Sequence, residues 1–376
     1  MTTPFLPFTR PSLDEDTIQG VVEVLRGGWL ASGPNVAEFE AALSAYVGGR
    51  PVRVMTSATA ALEIALLVAG IGAGDEVITP AMSFVATANV IARVGAKPVF
   101  VDVDLATRNI DLGQVERAIT PATKAIMPVH FAGLPVDMDL LYDIARRHRL
   151  RVVEDAAHAI GSGPPGRRIG SHGDLVCFSF HPNKNMTTLE GGALVADDPA
   201  ELRAIDLHRF HGLERHADGT MEVSLPGGKC NLTDVAARVG LGQLPRLDDF
   251  NDRRRSLASR YFELLADEPG LLLPARGDEG HSWHMFAPLL DLARLRIDRA
   301  RFIGLMREQG IGVGVHYPAI HLFSHYRSLG YGPGDFPNAE RIGRETVTLP
   351  LFPAMQDGDV DRVCLALRSI LVENAT

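Results

Sequence analysis

Short apolar runs alternate with helical segments through the first two thirds of the chain, and this alternation limits the fold more than any other feature. The run 125–129, Ala-Ile-Met-Pro-Val, is apolar throughout, as expected of a strand that is buried on both faces. The alternation predicts an α/β fold with a mostly parallel sheet between helices, whose ligands bind beyond the carboxyl ends of the strands. We predict strands at 52–55, 76–79, 98–101, 124–129, 151–154, 175–180 and 193–196, a helix that ends near Gly70, and helices at 84–94, 111–119 and 136–148.

The N-terminal residues predict an arm followed by a helix. Residues 1–12 contain three prolines and are expected to be extended. Ser12 is predicted to cap a helix that runs to about Leu25, because acidic residues fill its first turn. Further helices are predicted at 36–47, 199–209 and 235–243.

The last part of the chain predicts a second, smaller domain. The polar stretch 211–228 is interpreted as a flexible excursion, and the charged helix 246–266 is expected to cross between the domains. We therefore predict a large domain over 1–250, including the arm, and a smaller C-terminal α+β domain over 251–376. The smaller domain has strand-like runs at 284–290 and 313–317 and predicted helices at 298–309, 338–345 and 357–371.

Composition excludes several classes of function. The net charge of -9 and the absence of a basic run argue against nucleic acid as a partner. Three widely spaced cysteines without a CxxC pair, and no HExxH spacing, argue against disulfides and a metal site. No run of about 18 apolar residues occurs, so we expect no membrane span and a cytoplasmic protein.

The stretch 174–192 holds the candidate catalytic residue. An apolar strand ending at Phe180 is followed by a polar loop with one lysine, Lys184, and a hydroxyl and an imidazole, Ser179 and His181, lie on the strand side. A lysine at the exit of a buried strand loses proton affinity and can act as a nucleophile. Taken alone, Lys184 is better explained as a surface lysine, so its role depends on the other strand ends.

Three other strand ends carry residues that suit one ligand. Ser57, Ala58 and Thr59 form a small-residue turn before a helix, which can bind an anion or simply cap the helix. Phe84, after the strand 76–79, is either a ligand-stacking ring or a core aromatic. Asp155, after the strand 151–154, is nearly buried and needs either a cationic partner or a structural capping role.

These parts together meet the requirements of pyridoxal 5′-phosphate. Lys184 would form the Schiff base, Asp155 would pair with the ring nitrogen, and Phe84 would stack on the ring. His158, three residues after Asp155, could hydrogen-bond the phenolic oxygen of the ring. The phosphate would be held by Ser57, by the N–H groups of Ala58 and Thr59, and by Ser179.

The chain resembles the nucleotide-sugar aminotransferases, the sugar-modifying branch of the fold-type I enzymes that use this cofactor. Within that family it looks most like the type that forms UDP-4-amino-4-deoxy-L-arabinose. The resemblance runs almost end to end and rests on Phe8–Pro11, Gly28–Pro34, Thr56–Ala60, Glu154–His158, Phe178–His181 with Lys184, Glu190–Gly192 and Gly314–Tyr317; the finer match rests on Ser57–Thr59, Lys229–Asp234 and Leu349–Pro353.

The resemblance implies a homodimer with shared active sites. Asn231 matches an asparagine that reaches the phosphate from the neighbouring subunit. Phe84 stands where the arabinose-type enzymes tend to carry Trp, and Cys230 stands where an aromatic residue is usual, so the sugar pocket is expected to differ. The positions assigned to the substrate or the rim of the site are Ser32, His181, Lys229, His284, His316, Tyr317 and His321.

The reaction implied is a ping-pong transfer of an amino group from L-glutamate to a ketosugar nucleotide, with a UDP-4-keto sugar as the first choice. The sequence leaves open UDP or dTDP, a 3-keto or a 4-keto group, and the donor. One alternative is a dehydratase that uses the same cofactor, but those enzymes replace the lysine with histidine. Another is a non-catalytic homologue that binds sugar nucleotides, which the intact Lys184, Asp155 and Ser179 argue against.

Overall fold

A seven-stranded sheet forms the centre of the protein. The structure is a computed structural model, and it describes residues 4–164, 166–277 and 280–376. The strand order is β1-β7-β6-β5-β4-β2-β3. Strand β7 pairs antiparallel with β1 and β6, and the other neighbours are parallel, so the predicted, mostly parallel sheet is confirmed. The strands are β1 Val52–Met55, β2 Glu76–Pro80, β3 Lys97–Val101, β4 Thr123–Ile126, β5 Arg151–Asp155, β6 Leu175–Ser179 and β7 Gly192–Val195.

Both faces of the sheet are buried, which explains why its strands are apolar at successive positions. In β6, Val176 and Phe178 pack in one core with Phe39. Leu175 and Cys177 point the other way and pack in a second core with Leu62. Because side chains alternate along a strand, an apolar residue is needed at every position when helices cover both faces.

Thirteen α-helices surround this sheet and build the C-terminal region within the described part of the chain. They are α1 Glu15–Gly27, α2 Pro34–Tyr46, α3 Ala58–Val68, α4 Ala86–Arg93, α5 Leu112–Ala118, α6 Met138–His148, α7 Pro199–Arg209, α8 Asp234–Gln243, α9 Leu247–Leu265, α10 Arg299–Glu308, α11 Ser324–Arg327, α12 Pro337–Glu345 and α13 Asp357–Glu373.

The cap of the first helix was predicted wrongly. Asp14, rather than Ser12, caps α1, and its carboxylate accepts a hydrogen bond of 2.9 Å from the backbone N–H of Thr17. The carbonyl oxygen of Ser12 instead accepts from Gln243 Nε2. A carboxylate is favoured at this position because it also compensates the positive end of the helix dipole.

Three other segments differ from the predictions. The stretch 211–228 contains a hairpin of β8 (Leu213–Arg215) and β9 (Met221–Val223), where we predicted a flexible excursion. The run 313–317 is not a strand, since a single isolated bridge, from Gly314 to Thr348, involves it within the described part of the chain. The run 284–290 keeps two strand residues, which form β11 (Leu289–Leu290) and pair with the two-residue β10 (Leu271–Leu272). Isolated bridges also join Phe286 to Leu349 and Leu289 to Thr346.

Helix α9 connects a core of the sheet to the core of the C-terminal region. Leu247, at its start, packs in the same core as Val176 and Phe178 of β6, whereas Leu257 and Tyr261 pack in the core of the C-terminal region. The N-terminal arm also contacts the C-terminal core, because Leu6 pairs with Ile311 and is buried there. The division into 1–250 and 251–376 stays a prediction.

The sheet also contacts the C-terminal region directly. Asp102, just after β3, accepts hydrogen bonds from the backbone N–H groups of Asn338 and Ala339 in the first turn of α12. This contact fixes α12 against the carboxyl edge of the sheet, where the site described below lies. Among the described residues, no helix is long and apolar enough to cross a membrane.

Candidate active site

A cavity of about 280 Å³ lies beyond the carboxyl ends of the sheet strands. It is lined by residues at or just after the carboxyl ends of five strands, β1, β2, β4, β5 and β6, and by a segment of the C-terminal region. The predicted residues that it brings together are Ser57, Ala58, Thr59, Phe84, Asp155, His158, Ser179, His181, Lys184, His316 and Tyr317.

Lys184 follows β6 and turns its amine into this cavity. Its backbone N–H donates to the carbonyl oxygen of His181, which closes a tight turn after the strand. The surrounding protein removes water from the ammonium group and lowers its pKa to about 8, and the carboxylate of Asp155 opposes part of that shift. Lys184 therefore has a large neutral fraction near pH 8, as a nucleophile or proton acceptor requires.

Asp155 ends β5 at the floor of the cavity and is buried. One carboxylate oxygen lies 2.8 Å from Thr87 Oγ1, and the other accepts from the backbone N–H of Ala157 at 3.2 Å. Burial raises the pKa of Asp155, while these hydrogen bonds and the charge of Lys184 act against the rise. The described neighbours leave this carboxylate without a direct cationic contact, which suits a cationic ligand.

The start of α3 forms the end of the cavity that can take an anion. Ser57 is the N-cap residue, and its Oγ accepts from the N–H of Ala60 at 3.1 Å. The N–H groups of the first turn have no partner within the helix and carry the positive end of its dipole. Ser179, at the end of β6, adds a hydroxyl to the same cavity.

Phe84 is a cavity residue rather than a core aromatic. More than half of its surface, 55%, is exposed, and its ring lies 5.8 Å from the ring of Tyr317. An exposed aromatic ring on a cavity wall is the arrangement that stacking on a planar ligand requires.

His158 and Tyr317 form a rigid pair on the cavity wall. The Nδ1 atom of His158 accepts from the backbone N–H of Ala132 at 3.3 Å, and its Nε2 atom lies 3.2 Å from the Tyr317 hydroxyl. His284 stacks behind His158 at 4.5 Å between ring centroids. Burial and the nearby charge of Lys184 lower the pKa of His158 well below its usual value, so its ring is neutral.

His181 and His316 differ in how firmly they are held. His181 is exposed, and its Nδ1 atom lies 2.8 Å from Asn183 Oδ1. His316 is mostly enclosed, its Nδ1 atom lies 2.8 Å from Thr348 Oγ1, and burial lowers its pKa to about 4. His316 therefore presents a fixed, neutral ring to the cavity, whereas the ring of His181 lies at the exposed rim.

Five residues assigned to the site lie outside the cavity. Ser32, Lys229 and Asn231 form one hydrogen-bonded group: Asn231 Nδ2 donates to Ser32 Oγ at 2.6 Å, and Lys229 Nζ donates to Asn231 Oδ1. His284 lies behind His158, with Nδ1 3.1 Å from Asn185 Oδ1. The placement of His321 at the substrate or rim was wrong, because it is fully buried with its Nε2 atom 3.1 Å from Glu340 Oε1.

Thr87 was missed by the sequence analysis. It lies in the first turn of α4, and its hydroxyl contacts both Asp155 and the Ser83 hydroxyl. The sequence could have indicated it, because Thr87 lies three residues after Phe84. That spacing places both residues on the same side of a helical turn, at the carboxyl edge of the sheet. Glu190 and Gly191, which belong to one of the motifs that carry the resemblance, also line the cavity.

A family model matches residues 11–368 of this chain, and its description is DegT/DnrJ/EryC1/StrS aminotransferase family. The chain belongs to this sugar aminotransferase family. The spore coat polysaccharide biosynthesis protein SpsC of Bacillus subtilis is 42% identical over 378 residues, covering 98% of this chain and 97% of SpsC.

Solved structures agree with this assignment. The PMP-form of the putative sugar aminotransferase Spr1654 from Streptococcus pneumoniae superimposes with a TM-score of 0.93 at 34% identity, over 98% of both chains. DesI in the presence of its TDP-sugar product superimposes with a TM-score of 0.88 at 32% identity, over 99% of this chain and 94% of DesI. The protein is a pyridoxal phosphate-dependent sugar aminotransferase with the type I fold.

The cavity of this aminotransferase fits its cofactor. The phosphate group needs an anion site and the ring nitrogen needs a buried acid, and the start of α3 and Asp155 supply them. The aldehyde needs an amine of low pKa, which Lys184 provides. No cluster of metal-ligating side chains occurs among the residues that the structure describes.

Proposed function

We propose that this aminotransferase transfers an amino group from L-glutamate to a ketosugar nucleotide, with a UDP-4-keto sugar as the preferred acceptor. The observation that carries the proposal is that Lys184 and Asp155 face the same cavity. The resemblance of the chain to DesI, which was solved with a TDP-sugar product, supports a nucleotide-linked acceptor. The name of the relative SpsC supports a role in polysaccharide synthesis.

Lys184 moves the proton in both halves of the proposed reaction. When bound, pyridoxal phosphate supplies an aldehyde that accepts the amino group and a ring that withdraws electrons from the carbon losing its proton. The neutral amine of Lys184 takes the α-proton of glutamate and later returns a proton to the carbon of the sugar. General acid–base catalysis of this kind contributes about 10²–10⁴-fold.

The other residues hold the reacting groups in place. Asp155 keeps a proton on the ring nitrogen, since a buried carboxylate favours a nearby positive charge. Ser57, Ser179 and the first turn of α3 bind the phosphate, and the ring of Phe84 covers one face of the cavity. These contacts fix the orientation at which the amine of Lys184 meets the reacting carbon.

We also propose a homodimer with shared active sites. Asn231, Lys229 and Ser32 lie on the surface, outside the cavity of their own chain, where they could reach the phosphate end of a neighbouring site. Trp29, beside Ser32, exposes 64% of its surface, which is typical of an aromatic residue at an interface. The three cysteines are free, which agrees with our inference of a cytoplasmic enzyme.

The test is to incubate the purified enzyme and cofactor with glutamate, and then with a panel of ketosugar nucleotides. We expect glutamate to bleach the visible absorbance with release of 2-oxoglutarate, and the acceptor to restore it. UDP and dTDP sugars with a 3-keto or a 4-keto group form the panel, and alanine and aspartate are the control donors. Bleaching without recovery by any member would contradict the proposed acceptor class, and deoxygenated sugar as the product would favour the dehydratase.

A further inference from the structure

Arg108 combines two features that are unfavourable for an arginine. Its φ angle is 65°, in the left-handed region where a residue with a β-carbon is strained. Its side chain is buried, with only 2% of its surface exposed, in the turn after β3 in which its N–H donates to the carbonyl oxygen of Asp104. Strain of this kind is typical of positions that have a function.

The outer nitrogens of Arg108 are unpaired within the described part of the chain. Its Nε atom donates to the carbonyl oxygen of Leu105 at 3.1 Å, whereas Nη1 and Nη2 have no hydrogen-bond partner among the described residues. Arg254 is equally buried, but its Nη1 atom donates to three backbone carbonyl oxygens. The fold thus satisfies the outer nitrogens of one buried guanidinium group and not of the other.

Arg108 also keeps its positive charge. Burial lowers its pKa to about 10, so the group is protonated at neutral pH. The charge of Asp104 opposes that shift, but its carboxylate is exposed and accepts hydrogen bonds from its own turn. Arg341 and Glu345 act on Arg108 in opposite directions and pair with each other at 2.9 Å. A buried cation without an opposite charge in contact is costly, and a bound anion would remove that cost.

Arg108 lines a small cavity of about 10 Å³, which has room for one species of the size of a water molecule. None of the lining side chains that the structure describes is acidic. His281, also in the lining, is neutral, because burial lowers its pKa to about 3. The apolar part of the lining consists of Phe131, Ala132, Leu134, Pro274, Met285 and Ala287.

The cavity lies where the segments after β3 and β4 meet the C-terminal region. The N–H of Ala275 donates to the carbonyl oxygen of Ala106 at 3.0 Å, which joins two of the lining segments. Phe131, in the cavity wall, turns its ring edge to His158 and Tyr317 at 6.1 and 6.4 Å between centroids. An ion in this cavity would therefore connect both regions just behind the wall of the active site.

We propose that the cavity binds a chloride ion, held by Nη1 and Nη2 of Arg108. The guanidinium group supplies charge-assisted hydrogen bonds to the anion. Phosphate and carboxylate groups are too large for the cavity, whereas a monatomic halide is close to water in size. The site is separate from the cofactor cavity, and the inference does not depend on the proposed acceptor or donor.

The test is thermal unfolding of the cofactor-loaded enzyme in sodium chloride and in sodium gluconate at equal ionic strength. Gluconate is too large for the cavity and controls for the salt itself. Because an ion that binds only the folded protein stabilises it, we expect the unfolding temperature to rise with chloride concentration and to level off about 2 °C above its value in gluconate. Equal unfolding temperatures in the two salts would overturn the proposal.

The variant Arg108→Met removes the charge and keeps an unbranched side chain. We expect its unfolding temperature to be the same in both salts, and in gluconate to be no lower than that of the wild type, because an unpaired buried cation is gone. Arg117→Met, at an exposed arginine of α5, is the matched control and should keep the full effect of chloride. An effect of chloride that persists in Arg108→Met would contradict the assignment.

A second measurement locates the ion without any variant. Bromide can replace chloride and scatters X-rays anomalously, so crystals of the cofactor-loaded wild type grown in sodium bromide should show an anomalous peak beside Nη1 and Nη2 of Arg108. If the density there gives no anomalous signal, as for a water molecule, or if bromide binds only at the surface, the proposal is wrong.

Discussion

Two adjacent carboxylates on β5 occupy opposite environments. Glu154 is completely buried, and its oxygens pair with His130 Nε2 at 3.0 Å and with the Tyr142 hydroxyl at 2.6 Å. Asp155 points to the other face and into the cavity, where its partners are a threonine hydroxyl, a backbone N–H and the nearby charge of Lys184. The two residues share a strand and a charge but differ in how completely the protein satisfies them.

The difference separates a structural acid from a functional one. His130 accepts from the backbone N–H of Val136 at Nδ1, so its Nε2–H donates to Glu154, and that network is closed. The network at Asp155 is open toward the cavity, where a ligand can complete it. Open polar networks are costly in an empty protein, which is why we associate this one with binding.

The variant Lys184→Ala tests the open network around Asp155, and we expect it to have the largest effect. The variant lacks the amine that moves the proton, so we expect activity to fall by about 10⁴-fold or more and the lysine-dependent visible absorbance to disappear. The thermal unfolding temperature of the apoprotein should not fall, because the variant removes an amine whose burial away from water opposes folding. Lys124→Ala, at an exposed lysine, is the control, and an unchanged spectrum in Lys184→Ala would contradict the assignment.

Asp155→Asn and Glu154→Gln compare the two carboxylates directly. Both changes replace an acid with its amide, but we expect opposite consequences. Asp155→Asn should reduce activity about 10²–10³-fold without loss of apoprotein stability. Glu154→Gln should keep the activity per folded molecule and lower the free energy of unfolding by about 1–3 kcal/mol. If the two variants changed activity and the free energy of unfolding equally, the distinction between Asp155 and Glu154 would be lost.

The pH dependence of apoprotein stability provides a third test. The pKa of Lys184 is lowered from 10.5 to about 8 in the folded state, so between these values the unfolded chain holds a proton that the folded protein has released. The free energy of unfolding therefore rises with pH across this range. We expect the wild type to gain stability relative to Lys184→Met between pH 8 and pH 10.5, measured by denaturant unfolding. If the difference in free energy of unfolding between the wild type and Lys184→Met stayed constant across this pH range, the amine would not be desolvated.

Thr87→Val should have the smallest effect. Valine has a similar shape but lacks the hydroxyl that supports Asp155, so the pKa of Asp155 should rise further and activity should fall about tenfold. Thr79→Val is the matched control, because the Thr79 hydroxyl is equally buried but donates to the carbonyl oxygen of Met127. A larger loss of activity in Thr79→Val would contradict the role of Thr87.

The sequence was sufficient for the sheet and for most of the cavity. Apolar runs specify buried strands locally, and Lys184, Asp155 and Ser57 follow directly after such runs, so their place at the carboxyl edge could be predicted. The hairpin at β8 and β9 was missed because each strand has only three residues and none of them is buried, so the alternation of apolar residues is too short to give a signal.

The side-chain partners could not be predicted in the same way. His158 and Tyr317 are 159 positions apart, and only the folded chain shows that the hydrogen bonds of one orient the other. His321 follows closely after Tyr317 in sequence, but a short 3₁₀ turn, Ile320–Leu322, directs it to Glu340 instead of the cavity. Spacing along the chain does not predict such directions outside regular helices and strands.

The most direct test is to reduce the cofactor-loaded enzyme with borohydride and map the modified peptide by mass spectrometry. The chain contains only four lysines, Lys97, Lys124, Lys184 and Lys229, so the assignment has few alternatives. We predict that the cofactor mass appears on the peptide that contains Lys184 and on no other. Its appearance on Lys97, Lys124 or Lys229, or on no peptide at all, would contradict the account.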